Sequence, residues 1–251
     1  MKKTITIFLV LMTIGLSTAS AISLTEANSI LDTVDTSRNF TGVDFSAVMT
    51  MISEDPETGV EKKKVQQFRR DADEMFLMLF IEPVAEKGQG YLMIEDNLWF
   101  YDPQSRKFNH TSMKESFGGT DAKNSDFGAS SLGEDYKVLS VEDGKLGRYE
   151  VYIMDLEGTN SEVTYPTVKI WITKNNSLVL KSEDYSATGR LMRTSLFPSY
   201  AKISDKYFAT KIIFKDELIE GQKTQITITD ISTKNLPDSI FTKSYVERVN
   251  R

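Results

Sequence analysis

The sequence has 251 residues, no cysteine and one histidine, with a formal charge of −6. Disulfides and thiolate metal sites are therefore excluded, as is any zinc site that needs two imidazoles. Because the chain is acidic overall, its composition does not indicate the positively charged surface with which proteins bind nucleic acid. We expect no metal, no cofactor and no nucleic-acid partner.

The first 21 residues have the pattern of a cleaved secretory signal peptide. Lys2 and Lys3 precede a mostly apolar run, 5–16, which is too short to anchor the chain stably in a bilayer. Ala19 and Ala21 are small residues at the positions that a signal peptidase reads. We predict cleavage near Ala21, a periplasmic location, and one mature domain over 22–251 that is more acidic than the precursor.

A helix is predicted at the start of the mature chain. Ser23 is a suitable N-cap with Glu26 three residues on, and apolar residues from Leu24 to Val34 follow a helical stripe. From Asp44 the period changes to two, which predicts a long hairpin around the turn 55–59 with one solvated face.

The following strands are apolar on both faces. The run 75–81 has no polar residue at either parity, so something besides its own sheet must cover its second face. The segments 90–94 and 98–102 show the same feature.

Residues 111–133 interrupt the strand pattern with glycine, serine and isolated phenylalanines. A long loop of this kind inside a compact domain is usually functional. We expect a mobile flap with one or two helical turns, in which Phe117 and Phe127 are the apolar contacts.

Strand signals resume at Tyr136 and continue almost to the end of the chain, with a tight turn predicted at 142–145. Turns every ten to fifteen residues indicate an antiparallel meander, and all six prolines are expected at strand ends or turns. The prediction is a mainly β fold: an unclosed antiparallel β-barrel, or half-barrel meander, wrapped around the N-terminal helix and short loop helices.

A surplus of large apolar side chains points to a cavity. Each of them is also explained as ordinary core, but together they exceed what one short helix can cover. The candidates for a lipid-binding cavity are Phe76, Met78, Phe80, Leu92, Trp99, Tyr101, Met154, Trp171 and Met192, with Phe197 as a further member of the apolar set.

Three motifs carry a family resemblance. The run 90–106 opens with Gly-Tyr-Leu and continues Asn-Leu-Trp-Phe-Tyr-Asp-Pro, the flap contains Ser125-Asp126-Phe127, and the chain closes with Leu236-Pro237-Asp238 and Phe241. This arrangement resembles the outer-membrane lipoprotein-sorting (LolA-like, LolB-like) proteins of bacteria. The resemblance implies a half-barrel whose apolar concave face shelters acyl chains. It also implies a basic residue at the cavity mouth, for which Arg69, Arg70 and Arg106 are candidates by position.

Three functions are weighed. The first is a periplasmic carrier of lipid or lipidated protein, with transient membrane contact and an inner-membrane export complex as a possible partner. The second is a non-enzymatic envelope sensor or adaptor that binds such a complex. The third is a hydrolase, which ranks last because His110 with Thr111 and Ser112 lacks a serine elbow or an oxyanion hole. We expect no catalytic residue.

Overall fold

The computed structural model describes residues 22–249, so the predicted signal peptide lies outside the described residues. Strands account for most of the described chain. They are β1 Phe45–Asp55, β2 Gly59–Arg70, β3 Met75–Glu82, β4 Gly90–Ile94, β5 Asn97–Asp102, β6 Lys107–His110, β7 Tyr136–Leu146, β8 Tyr149–Gly158, β9 Thr167–Thr173, β10 Val179–Tyr185, β11 Leu191–Ile203, β12 Lys206–Asp216 and β13 Lys223–Ser232. The α-helices are α1 Leu24–Arg38, α2 Leu132–Asp135 and α3 Lys243–Arg248, and 3₁₀ turns occur at Asp71–Asp73, Phe117–Gly119, Asn124–Asp126 and Asp238–Phe241.

All 13 strands form one antiparallel sheet in the order β6-β5-β4-β3-β2-β1-β13-β12-β11-β10-β9-β8-β7. Strands β1 to β6 form one meander and β7 to β13 a second. The two are joined by the pairing of β1 with β13, from Ser46 opposite Ser232 to Glu54 opposite Lys223. Within residues 22–249 the edge strands β6 and β7 do not pair with each other, which confirms the predicted unclosed half-barrel.

Helix α1 begins as predicted and covers one half of the concave face. The Ser23 side chain accepts from the Glu26 amide, and the Glu26 carboxylate accepts from the Ser23 amide, which is a complete capping box. The helix buries Ala27, Leu31 and Val34 in one cluster with apolar residues of β7, β8 and β9. None of the helices in the described part of the chain is sufficiently long and apolar to cross a bilayer.

Strand β3 is covered on both faces, as its sequence requires. Phe76, Met78 and Phe80 pack on the concave side with the flap, whereas Leu77 packs on the convex side with the C-terminal segment. That segment, residues 236–248, contributes Phe241 and neighbouring apolar residues to the convex cluster. The end of the chain therefore supplies the second cover that the two-faced strand needs.

The flap, residues 111–133, crosses the concave face between the two edge strands and contains the expected short helical turns. Phe117 stacks on Phe80 with 5.3 Å between ring centroids, and Phe127 lies 4.6 Å from Phe117. The Asp121 carboxylate accepts hydrogen bonds from Gln222 and from Thr224 of β13. The flap is thus packed and hydrogen-bonded onto the sheet, and its mobility stays a prediction.

Two local predictions are wrong. Residues 142–145 lie inside β7, and the turn falls instead at Gly147, whose φ of +59° suits glycine. A Cβ at Gly144 would lie 2.5 Å from Ile153 Cδ1, so a larger residue there would require the Ile153 side chain to shift. Pro198 lies within β11, at a break in the register between Leu196 and Ser199, where a missing amide hydrogen is tolerated.

Candidate functional site

A cavity of about 500 Å³ opens on the concave face between the flap and strands β9 to β12. A volume of this size is typical of small-molecule sites. Its walls include Val168 and Ile170 of β9, Val179 of β10, Phe197 of β11 and Ile212 of β12. Further lining residues come from the flap, namely Met113, Ser125, Asp126, Ser130, Ser131 and Leu132. Two tyrosines outside the flap, Tyr136 and Tyr165, also line the cavity.

A smaller hollow of about 50 Å³ adjoins this cavity. The two share Val179, Phe197 and Ile212 in their walls. The apolar part of the smaller hollow comes from the centre of the sheet and from the flap: Met49, Phe127, Phe208, Ala209, Ile226 and Ile228. Polar and charged side chains complete its wall, namely Arg38, Gln67, Arg69, Asp126, Ser130 and Tyr200. The smaller hollow therefore forms a partly apolar recess beside the cavity, in the middle of the sheet.

One wall of the larger cavity carries a buried ionic cluster. Arg193 Nη1 and Nη2 donate to the two carboxylate oxygens of Asp126 at 2.6 and 3.1 Å, and Arg193 Nε donates to Asp184 at 2.7 Å. The guanidinium lies 4.5 Å from the ring centre of Phe214 and 5.1 Å from that of Tyr165. This cluster joins the flap, through Asp126, to β10 and β11.

Burial shifts the protonation equilibria around this cluster. It raises the pKa of Asp184 above its ordinary value, although the attraction of Arg193 opposes the shift. Burial also raises the pKa of the Tyr165 hydroxyl to about 12. The Arg193 and Asp184 side chains are 10% and 5% exposed, so this part of the cluster is poorly solvated.

Two polar atoms in the cavity walls lack partners. Among the described residues, Ser195 Oγ and Gln67 Oε1 make no hydrogen bond, and both residues are only 1 % exposed. Ser195 lines the larger cavity and Gln67 the smaller hollow. Buried polar groups are normally satisfied, so each of these atoms needs an explanation.

Several predicted cavity residues lie on the concave side but belong to its packed core. Phe76, Met78 and Phe80 pack beneath the flap against Phe117, which was predicted as a flap contact, and Met154 packs beneath α1. None of these five lines the larger cavity or the smaller hollow, whereas the flap residue Phe127 lines the hollow.

The other predicted cavity residues lie on the convex side of the sheet. Leu92 and Tyr101 pack against the C-terminal segment, and the Trp99 ring lies 3.9 Å from Lys243 Nζ of α3. Trp171 and Met192 are half-buried, and each alternates with concave residues of its strand. The size of an apolar side chain does not reveal which face of its strand it occupies. The sequence alone therefore grouped residues of the concave and convex faces together.

The three candidate arginines have different settings. Arg69 lines the smaller hollow, where its Nε and Nη2 donate to Asp71 at 2.8 and 2.7 Å. Arg70 turns to the other face and pairs with Asp44, and Arg106 is an exposed turn residue with φ of +55°.

Sequence reasoning missed Asp184, Arg193 and Ser195. The strongest available signal was the alternation in β11, where Arg193, Ser195 and Phe197 share one face. A buried arginine was not predicted, because its partner Asp126 comes from the flap, 67 residues away in sequence.

Comparisons with known proteins agree on the architecture. A family model described as "Uncharacterized protein"-like matches residues 72–248. A LolA superfamily protein from Nitrosomonas europaea is 27% identical with a TM-score of 0.76, and the match covers 87% of this chain and 98% of that one. The chain belongs to the matched family and is LolA-like.

Two further solved structures share the LolA-like fold. A putative outer-membrane lipoprotein-sorting protein domain from Vibrio parahaemolyticus has a TM-score of 0.79 at 21% identity, with coverage of 90% of this chain and 100% of that one. A DUF1329 family protein from Desulfovibrio piger has a TM-score of 0.77 at 21% identity, with coverage of 89% and 98%. No curated protein matches the sequence.

Proposed function

We propose that this LolA-like chain is a non-enzymatic periplasmic carrier that shelters acyl chains of lipids or lipoproteins during transfer between envelope membranes. The observation that carries the proposal is the cavity of about 500 Å³ on the concave face, adjoining a partly apolar recess. The signal-like residues 1–21 support export, and the description of the Vibrio protein supports a lipoprotein-sorting role.

The mechanism is exclusion of water from the acyl chain. Each buried methylene contributes roughly 0.8 kcal/mol, so a chain of about sixteen carbons gains roughly 13 kcal/mol before ordering costs are subtracted. The recess walls provide methionine, isoleucine and phenylalanine side chains, which adapt to flexible apolar ligands. Movement of the flap would admit and release the chain, and an inner-membrane export complex and a transient membrane contact would supply and receive it.

A cavity-filling substitution tests the carrier proposal. Ile212→Trp places a large ring where the cavity and the recess meet, so we expect the purified variant to lose co-purifying lipid in native mass spectrometry. Ile213→Trp is the matched control, since Ile213 is the next residue of β12, points to the opposite face and lines neither space.

The proposal requires that wild type and Ile213→Trp carry lipid while Ile212→Trp, at an unchanged melting temperature, does not. Absence of lipid from the wild type, with no uptake of an acylglycerol added afterwards, would contradict it. An export partner captured equally by the wild type and by Ile212→Trp, neither of which carries lipid, would favour the adaptor function instead.

A further inference from the structure

Along β10 and β11, the wall of the larger cavity is polar at one end and apolar at the other. Asp184 lies opposite Arg193, and Ser182 lies opposite Ser195, in the pairing of β10 with β11. All four line the cavity, and Phe197, the next concave residue of β11, begins the apolar part. From Arg193 to Phe197 the strand advances roughly 13 Å, which is a distance suited to an amphiphile with its head at one end.

The arginine at the polar end is already neutralised. Arg193 donates through Nη1 and Nη2 to Asp126 and through Nε to Asp184, and a longer contact of 3.5 Å joins Nη1 to the Asp121 carbonyl. Aromatic rings of Phe214 and Tyr165 flank the guanidinium. An incoming anion would have to displace one of these carboxylates, so Arg193 is not a free receptor for carboxylate or phosphate.

The balance of charge around the cavity also opposes an anion. Five carboxylates contribute to the lining, from Asp96, Asp126, Asp135, Glu162 and Asp184. Among the described residues, two basic side chains line it, those of Arg38 and Arg193. Since Asp126 and Asp184 pair with Arg193, the negative excess comes from Asp96, Asp135 and Glu162 against Arg38, and this excess disfavours a negatively charged head.

The unpartnered hydroxyl at the polar end indicates what does bind. Ser195 Oγ has no hydrogen-bond partner among the described residues although Ser195 is 1 % exposed and lines the cavity. A hydroxyl or amide group in the ligand can pair with this atom without bringing charge.

We propose that the cavity selects amphiphiles with an uncharged hydrogen-bonding head, of the acylglycerol or N-acyl amide type, and discriminates against anionic heads. Ser195 Oγ contacts the head directly, and the acyl chain runs past Phe197 toward the apolar recess. This inference rests on the proposed carrier function and adds the class of head group to it.

Two ligands with the same twelve-carbon chain separate the head from the tail. Delipidated protein is titrated calorimetrically at pH 8 with monolaurin and with laurate, both below the concentration at which they form micelles. We expect monolaurin to bind roughly tenfold or more tightly than laurate, because only the latter brings a charge into the acidic cavity.

Ser195→Ala then tests the direct contact. The variant should weaken monolaurin binding about three- to tenfold, since it removes one uncharged hydrogen bond. It should fold normally, because the deleted hydroxyl has no hydrogen-bond partner within residues 22–249. Ser199→Ala on the same strand, at an exposed residue outside the cavity, is the control and should change neither affinity.

The outcomes separate the two proposals. Binding of neither ligand to the wild type would overturn the carrier function together with this inference. Binding of laurate as tightly as monolaurin would be consistent with the carrier function but would overturn the selectivity for uncharged head groups. An unchanged monolaurin affinity in Ser195→Ala would overturn the assigned contact.

Discussion

Gly90 illustrates a sequence motif that has a steric cause. The residue pairs with Leu79 of β3 and with Tyr101 of β5, and a Cβ at this position would lie 2.8 Å from the Met78 carbonyl oxygen and 2.9 Å from Leu79 Cδ2. The Met78 oxygen belongs to the backbone of a central strand and has little freedom to move. The glycine of the Gly-Tyr-Leu motif therefore serves the close packing of strands, and the motif reports on the fold more than on the ligand.

We expect Gly90→Ala to destabilise the protein by roughly 1–3 kcal/mol through this overlap. Gly128→Ala is the control, since its Cβ would meet only side-chain carbons of Met113 and Phe76 at 3.6 Å or more. Urea denaturation of the two variants measures the difference. Equal stability of Gly90→Ala and the wild type would show that the strands can separate at little cost.

At the scale of elements, the C-terminal segment is held to the sheet by a partly buried ion pair. Arg70 Nε donates to Asp44 Oδ1 at 2.9 Å, and Arg70 Nη2 donates to the Leu236 carbonyl at 2.7 Å. The Leu236 amide in turn donates to the Asp44 carboxylate. Hydrogen bonds from Arg70 hold the pKa of Asp44 below its ordinary value. Asp44 is thus one of the groups that hold this cover over the convex face of β3, together with Arg70 and the apolar contacts of Phe241.

This ion pair predicts a loss of stability in acid. The pKa of Asp44 in the folded protein is lower than its value of 3.8 in the unfolded chain, so ionised Asp44 stabilises the fold fully above pH 3.8. This stabilisation is lost as the pH falls through the folded-state pKa. Asp44→Asn should cost roughly 2–3 kcal/mol at pH 7, and the gap from wild type should shrink below pH 4.

Thermal unfolding of both proteins from pH 3 to pH 7 measures that gap. Asp238→Asn is the control, because Asp238 also contacts Arg70, at 2.7 Å, but its side chain is 94% exposed and should contribute little. A gap that stays constant down to pH 3 would contradict the assigned role of Asp44.

At the scale of the whole molecule, stability should be highest where the two meanders meet. Strand β13 pairs with β1 on one side and β12 on the other, whereas β6 and β7 each have one paired side within residues 22–249. Ile226 and Ile228 of β13 and Met49 and Met51 of β1 lie together in the largest buried cluster. The join is therefore both hydrogen-bonded and deeply packed.

Native-state hydrogen exchange tests this view. Amides of β1 and β13 should be the slowest to exchange, with opening free energies near the global value, and amides of β6 and β7 should exchange faster by at least tenfold. Independent unfolding of residues 45–110 before residues 136–216 would contradict a single cooperative sheet.

The local features of this protein follow directly from its amino-acid sequence. The capping box at Ser23 starts α1, and the period-two pattern of apolar residues produces the hairpins. The run of β3 is apolar on both faces, so its second face must also be packed against other residues. Each of these depends on residues close together in the chain, where capping, parity and turn chemistry act directly. The family motifs added the open-barrel architecture and the expectation of a sheltered ligand.

Which side chains meet depends on the tertiary structure. The pairing of β1 with β13 unites segments about 180 residues apart, and the cluster of Asp126, Asp184 and Arg193 draws on the flap and two strands. The tertiary structure also determines that Trp99 and Tyr101 face away from the cavity, while Phe197 and Ser195 face into it. Strand parity relative to a cavity depends on the register and curvature of the whole sheet, and no local pattern in the sequence carries that information.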